Sequence, residues 1–422
     1  MATTNELEWR KSACNLCYIN CGVELAVDRQ GEREVIVKVR GDKANPRSQG
    51  YLCNKAAAIP TYVNHRDRLT TPLRRRADGG FDTITWDTAI TEIAERLQTV
   101  RAAHGGHTMA LYGGGGQVNH AGGAYATSML RALGSRNIFN ALSQEKTGDF
   151  WVNGHLFGSQ TCHTAEDIEH CDLLFVLGAN PWIAHGFTNA RDQINAIRKN
   201  PDRHLIVVDP RRSETAQVAD LHLQVRPGAD AFLLGALLAI LGQRGAFDDA
   251  FLATHTHGSR DVLAVLQQIP IDSWIEISGV PREQIERAAD YVQAAKAMVV
   301  RAELGIQQGM HSTLNSYLEK LLFLLTGHFG RHGTNVMHSW LIPLWGNARG
   351  QRFAPTDTEI IGGLLPPNIF PDAVLSDHPD RLRAVWVDSS NPMNTGADSQ
   401  RIKQALESLD LLVVVEIGRA HV

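Results

Sequence analysis

No apolar run in the 422 residues reaches membrane-spanning length. The longest candidate, residues 231–241, is too short to cross a bilayer and reads as a buried helix. Excess charge of either sign is also missing. Lys and Arg number 41 against 45 Asp and Glu, and a net charge of -4 creates no basic field for nucleic acid. The opening residues, Met1 to Arg10, carry neither the apolar stretch of a secretory signal nor a twin arginine. Cysteine is scarce: there are 6, four of them crowded near the N-terminus, which suits a reducing compartment better than a disulfide scaffold. These absences lead to the expectation of a cytoplasmic protein with no membrane segment and no nucleic-acid partner. Its length allows two or three domains, and 43% hydrophobic with 20% charged residues is a globular composition.

What is present begins with those four cysteines. Cys14-Asn-Leu-Cys17-Tyr-Ile-Asn-Cys21 places three on one short loop, and Cys53 returns from far along the chain. Four thiolates can hold zinc or an iron–sulfur cluster. Structural zinc usually takes two separated pairs, so the 3+1 spacing favours a [4Fe–4S] cubane over zinc or a disulfide.

The same stretch resembles a known family. The cysteine loop followed by Gly22, an interval with Val39-Arg-Gly41-Asp42 and Asn45-Pro46, and then Gly50-Tyr-Leu-Cys53-Asn-Lys55 are similar to the N-terminal domain of molybdopterin oxidoreductases of the dimethyl-sulfoxide-reductase type. The resemblance implies a [4Fe–4S] cluster on Cys14, Cys17, Cys21 and Cys53. It also implies molybdenum or tungsten held by bis-molybdopterin guanine dinucleotide, with Lys55 relaying electrons between cluster and pterin. Taken alone, Lys55 would read as a solvated surface lysine.

Further along, Thr85-Trp-Asp87 opens an amphipathic helix with Ala89, Ile90, Ile93, Ala94, Leu97 and Val100 at helical spacing, ended by Gly105-Gly106. A strand over 108–112, four glycines over 113–116 and a helix through 129–133 then follow. Strand, glycine turn and helix let a backbone approach a phosphate, which makes Gly114 and Gly115 candidates. The grammar repeats. The strand 173–177 ends in Gly178-Ala-Asn180-Pro181, the strand 204–208 in Asp209-Pro-Arg211-Arg212, and the strand 384–387 in Asp388-Ser-Ser-Asn391-Pro392; 411–415 is another strand. Apolar strands without alternation mean parallel sheets covered on both faces, with ligands past the strand C-termini. One Asn-Pro can be a plain turn. Two copies of strand-x-x-Asn-Pro suggest two related nucleotide-binding halves.

The resemblance extends over almost the whole chain. Arg226-Pro-Gly228-Ala-Asp230 is similar to the family's guanine-contacting turn, with Asp209 and Asp230 as acceptors for base or ribose. Leu304-Gly305-Ile-Gln307, a helix over 312–326 and Gly327-His328-Phe-Gly330 match its pterin-contacting segment, with His328 where the family usually has Asn. The expected fold is α/β: a small β-rich Fe–S domain over 1–64, then two interleaved doubly wound parallel-sheet domains over 65–136 plus 300–416 and over 137–299. The family's C-terminal pterin-closing β domain is expected to be missing. Residues 417–422 are expected to be a sequencing-adapter artefact, because Glu416 to Val422 back-translates into a common adapter.

The family's protein ligand to the metal would fall within 143–147, where no cysteine occurs. Glu145 is the candidate oxygen ligand, Ser143 the second choice and no ligand the third; a hard carboxylate suits an oxidised, oxo-bearing metal. Cys162 and Cys171 read as small buried thiols. Tyr317 stands where formate dehydrogenases carry Arg, so both formate signatures are missing. His185 and His311 are candidates for proton handling. The implied activity is a two-electron oxidation or reduction of a small-molecule substrate, with single electrons passing through the cluster to a redox partner protein, such as a ferredoxin-, flavin- or NAD-linked subunit. The alternatives are a cluster-only electron-transfer subunit of the same fold and a non-redox hydratase.

Overall fold

The computed structural model describes residues 7–30, 33–114, 121–338 and 350–418. Strands β1 (Glu8–Ala13), β2 (Gly22–Gln30) and β3 (Arg33–Gly41) form an antiparallel sheet in that order. Its apolar centre is small: Cys14, Val23, Ala56 and Ile59 are the buried members. A lobe with so little to bury needs another source of stability, and a metal centre is the usual one. Gly31, between β2 and β3, lies outside the described residues. The basic stretch 71–76 becomes the exposed hairpin β4 (Leu73–Arg75) and β5 (Phe81–Thr83), where Arg74 pairs with Glu92, and Arg76 with Asp78 and Asp82.

The amphipathic helix runs Trp86–His104. Thr85 caps it by accepting from the Thr88 amide at 3.1 Å, and Gly105 ends it at a φ of 84°. Ala89 and Val100 are buried, and Ile93 and Leu97 pack beside the core. Ile90 departs from expectation: at the edge of the apolar stripe, it is 62% exposed. Strand β6 (Met109–Gly113), the helix Ala121–Leu133 and β7 (Asn137–Asn140) then make a parallel β-α-β unit.

Two compact units divide the chain: Met1–Gln144 with Leu344–Val422, and the inserted Glu145–Pro343. The inserted unit holds β8 (Thr164–Glu166), β9 (Leu173–Leu177), β10 (His204–Val208), β11 (Leu221–Leu223), β12 (Met298–Ala302) and β13 (Asn335–Met337). β9 to β12 form a parallel sheet ordered β11-β10-β9-β12, and β8 pairs antiparallel with β13. Side chains on β9 alternate between two apolar layers. Leu173, Phe175 and Leu177 meet the layer of the Asp230–Gln243 and Ser312–Leu325 helices, while Leu174 and Val176 meet that of the Ala190–Lys199 helix. Both faces are dry, which is why the strand reads as an unbroken apolar run.

Back in the first unit, β14 (Arg352–Phe353) and β15 (Thr358–Glu359) form a short hairpin, and β16 (Ala384–Asp388) and β17 (Leu411–Val415) complete the parallel sheet β17-β16-β6-β7. Ala110, Tyr112, Val385 and Val387 face one apolar layer, and Met109, Leu111, Ala384 and Val413 the other.

The α/β class and the two parallel sheets agree with expectation; the boundaries drawn from sequence at 136 and 300 do not. β7 pairs with β6, so residues 137–144 belong to the first unit. β12 pairs with β9, so the segment from 300 to 343 stays with the second. The sequence reading missed Met298–Ala302 because Arg301 interrupts its apolar pattern. By its contacts the N-terminal lobe is grouped with the first unit. Residues 419–422 of the suspected artefact lie outside the described residues. Among the described residues, no helix is long and apolar enough to cross a membrane.

Candidate functional site

Backbone hydrogen bonds shape the cysteine loop. Cys14 donates its amide to the Cys21 carbonyl at 2.8 Å and Asn20 to that of Cys17 at 3.2 Å. Asn20 sits at a φ of 50°, which Asn tolerates, and its side-chain amide donates to the Cys14 carbonyl at 3.1 Å. The returning segment is anchored where the Gly22 amide donates to Ser48 Oγ at 3.0 Å, and Asn45 Oδ1 accepts from the Ser48 amide at 2.9 Å. Cys53 is thereby brought to the other three. Burial pushes the Cys14 thiol up, and the charges of Cys17 and Cys53 push the same way. Cys21 is pushed up to about 11 by burial and by all three partners.

Each of the four is a free thiol. A tetrahedral zinc, with bonds of about 2.3 Å, would draw its sulfurs to about 3.8 Å from one another. Among the described residues, the set of three or more ligand atoms within 4.8 Å of each other is Asp167, His170 and His332, and contains no cysteine. Cys14, Cys17 and Cys53 each act on Cys21, so the four thiols form one group, and four thiolates suit an iron–sulfur cluster. Lys55 lies in the short helix Asn54–Ala57, exposed, and its charge reaches the Cys14 thiol and favours the thiolate there.

The parallel sheet of the same unit has a topological switch. From β6 the chain goes to β7 on one side, while β16 and β17 lie on the other, so a crevice opens past the C-terminal ends of β6 and β16. Gly114 stands there, donating to the Asp388 carbonyl at 3.1 Å. A Cβ at Gly114 would fall 2.1 Å from the Ser389 carbonyl oxygen, so the approach requires glycine. Asn391 caps the helix Pro392–Thr395, accepting from the Asn394 amide at 3.2 Å. Gly115 lies outside the described residues.

The second unit repeats the arrangement between β9 and β12. Gly178, at a φ of 57°, and Gly305 meet backbone to backbone, with the Gly305 amide donating to the Gly178 carbonyl at 3.0 Å. A Cβ on Gly305 would lie 2.5 Å from that carbonyl oxygen. Asn180 acts within the protein: its Oδ1 accepts from Thr215 Oγ1 at 2.7 Å and its Nδ2 donates to Glu214 at 2.7 Å, which ties the loop after β9 to the loop after β10. Buried Pro181 opens the turn Pro181–Ala184, and His185 ends it, buried, at a φ of 66°. Such a conformation is strained for a non-glycine residue. Past β10, Asp209 Oδ1 accepts from the Arg211 amide at 2.8 Å, and Arg211 pairs with Glu214. Gly228 turns the chain toward Asp230, which begins the Asp230–Gln243 helix. Burial pushes the Asp230 carboxyl up to about 6, and the charge of Asp209 adds to this. Gln307 is buried and its Oε1 has no hydrogen-bond partner among the described residues, an acceptor suited to a ligand N–H.

Glu145 ends the short helix Leu142–Glu145, half-buried. Buried Ser143 donates its hydroxyl to the Asn140 carbonyl at 2.7 Å, so the hydroxyl has a use inside the fold. Cys171 is core, as read; Cys162 is half-buried, facing the Phe157 carbonyl. His311 packs edge-on against Phe232.

Sequence reasoning missed one feature, a buried ionic group. Lys320 donates to Asp149 and to Glu319, and His163 lies 3.7 Å from Asp149. Burial alone would push Asp149 up, but Lys320, His163 and Lys146 together outweigh it and hold the carboxylate well below its usual range. Glu319 is pushed up by burial to about 7. The signal was available: Glu319-Lys320 is an opposite-charge pair inside the otherwise apolar run 318–325.

Comparison with known proteins gives the geometry a context. A model of the molybdopterin oxidoreductase family matches residues 68–419, and one of the molybdopterin oxidoreductase Fe4S4 domain matches residues 7–65. A nitrate reductase from Synechocystis sp. is 27% identical over 94% of this chain and 59% of its own length. Formate dehydrogenase H from Escherichia coli is 25% identical over 96% of this chain and 59% of its own. Among solved structures, acetylene hydratase from Pelobacter acetylenicus shares the fold, with a TM-score of 0.82 at 21% identity, covering 97% of this chain and 60% of that one. The chain thus spans about three-fifths of the length of these relatives.

Proposed function

The chain belongs to the molybdopterin oxidoreductase family, and on that premise we propose that the whole protein carries out a two-electron oxidation or reduction of a small molecule and exchanges single electrons with a partner protein. The observation that carries the reading is the convergence of four free thiols beside Lys55, in a unit whose sheet also opens a glycine-lined crevice. When bound, the molybdenum or tungsten pterin supplies two-electron chemistry and the cluster supplies one-electron transfer.

The chain's own residues then have definable tasks. Cys14, Cys17, Cys21 and Cys53 would hold the cluster, and Lys55, whose charge reaches the Cys14 thiol, would offset its negative charge and relay electrons to the pterin. Gly114 in one crevice, and Gly178 with Gly305 in the other, let backbone amides approach a dinucleotide phosphate without a side chain in the way. Asp209 and Asp230 accept from guanine or ribose donors, and Gln307 Oε1 accepts from a ring N–H. Asn180 and Asn391 position the loops that border the two crevices. Glu145 is the candidate oxygen ligand to the metal, and His185 the candidate for moving a proton near substrate. Of the two redox activities named among the relatives, formate oxidation is disfavoured, because Tyr317 replaces the arginine and residues 141–147 contain no cysteine.

The test is anaerobic expression, followed by iron, molybdenum and tungsten analysis and a fluorescence assay for oxidised pterin on the same sample. About four iron atoms per chain are expected, together with metal and pterin and viologen-linked turnover that is faster with nitrate than with formate. Cys17→Ser should remove most of the iron. Iron without pterin would favour the cluster-only carrier, and turnover without any electron acceptor or donor would favour the hydratase.

A further inference from the structure

We propose that Asp167, His170 and His332 form a second metal site, for one zinc-class divalent cation, at the end of the second sheet opposite its glycine crevice. Asp167 precedes and His170 ends the single turn Ile168–His170 that leads toward the N-terminal end of β9, whereas Gly178 follows its C-terminal end. His332 comes from the loop that leads into β13. One ligand atom from each residue lies within 4.8 Å of the other two.

The distances bracket what an ion needs. His170 Nδ1 is 2.7 Å from Asp167 Oδ1, and His332 Nε2 is 3.9 Å from Asp167 Oδ2. Zinc bonds of about 2.0–2.1 Å space tetrahedral ligand atoms about 3.3 Å apart, so small side-chain swings suffice. The two imidazole rings already lie together, their centroids 3.9 Å apart.

The backbone on both sides is fixed. β8 pairs with β13 through Glu166 and Asn335, the Asp167 amide donates to the Thr334 carbonyl at 3.2 Å, and Asp167 Oδ2 accepts from the Gly333 amide at 2.8 Å. A Cβ on Gly333 would fall 2.6 Å from the His170 carbonyl oxygen, so loop and turn are packed in direct contact. Two imidazoles and one carboxylate make a borderline donor set, which selects zinc over the oxygen-loving calcium and magnesium, and leaves a fourth position for water. A bound cation would tie the β8–β9 connection to a loop more distant in sequence, and so act as a staple within this unit.

The experiment uses the full chain with its cluster loaded, titrated with Zn²⁺ under anaerobic conditions and examined by equilibrium dialysis and zinc-edge X-ray absorption. One zinc per chain is expected, with nitrogen and oxygen neighbours that include two imidazoles. His332→Ala removes a side chain that is 76% exposed and leaves the packing intact; it should weaken binding at least tenfold and abolish the zinc-dependent rise in melting temperature. His170→Ala should weaken binding by a similar factor. Equal affinity in wild type and His332→Ala, a sulfur shell around the zinc, or no saturable binding would each overturn the site.

Discussion

In the first unit the sheet's switch point sets Gly114 against the carbonyl of Ser389; in the second it sets Gly178 against Gly305. Both sheets are parallel and four-stranded, but the reversal leaves two strands on each side in the first and three against one in the second. What covers the sheets differs. One face of the first is covered by the Trp86–His104 helix, which leaves Trp86 and Ile90 in solvent. The second is covered by the Asp230–Gln243 helix, apolar along nearly its whole length, and by the Ser312–Leu325 helix, which carries Glu319 and Lys320 inside. The backbone geometry that makes a crevice is therefore independent of how the sheet is enclosed. The deeper enclosure has its own consequence, because any charge admitted must bring a partner.

Breaking that partnership should have the largest effect. Lys320→Met leaves Asp149 buried without its cation, and should destabilise the second unit by about 3–5 kcal/mol. Replacing Asp149 and Glu319 with apolar residues as well should recover most of the loss. Urea unfolding of single and triple variants checks both; a single variant as stable as wild type would show that the group is hydrated in solution.

The second unit also buries His328, whereas no histidine among the described residues of the first is buried. Burial, with Arg331 beside it, lowers the His328 pKa from 6.5 to about 4. Its Nδ1 lies 3.1 Å from Arg331 Nη2 and accepts from the Met298 amide at 3.3 Å, both of which require the neutral ring. The unfolded chain takes up the proton first, so stability should fall as pH drops from 6.5 through 4, by about 3 kcal/mol at most. His328→Asn keeps a side-chain acceptor and removes the titration, so its unfolding midpoint should vary less with pH over that window.

The two switch points should respond alike. Gly305→Ala and Gly114→Ala each place a Cβ within 2.5 Å of a backbone carbonyl oxygen. Each should cost about 1–3 kcal/mol, with lower pterin retention in the loaded protein. Loss in one variant and none in the other, by denaturant midpoint, would break the correspondence between the crevices.

The apolar strands could be read from the sequence because burial on both faces removes alternation, and 173–177, 204–208 and 411–415 stand as read. The cysteines were legible for a chemical reason: few other purposes need four thiols at that spacing. β12 was not, since Arg301 interrupts its pattern and is held by Glu166 and Glu303, neither of them adjacent in sequence. The tasks of Asn180 and Asn391 were hidden for a similar reason. An Asn-Pro after a strand reads the same whether its side chain meets a ligand, braces Thr215 or caps the next helix.

Ile90 gives the smallest effect and the finest test of the contrast between coverings. It was expected in the core by its spacing, yet it is 62% exposed, and Trp86, one turn earlier, is 67% exposed. An exposed isoleucine loses little water on folding, so Ile90→Ser should shift stability by less than about 0.5 kcal/mol. Serine's lower helix propensity adds a few tenths at most. The same logic makes Ile93→Ser costly, since Ile93 packs against the sheet layer of Met109 and Leu111. Denaturant midpoints of the two variants, measured side by side, should therefore differ by about 1–3 kcal/mol. If Ile90→Ser costs as much as Ile93→Ser, then Ile90 is covered in solution, and the first unit's helix is enclosed as fully as its counterpart in the second.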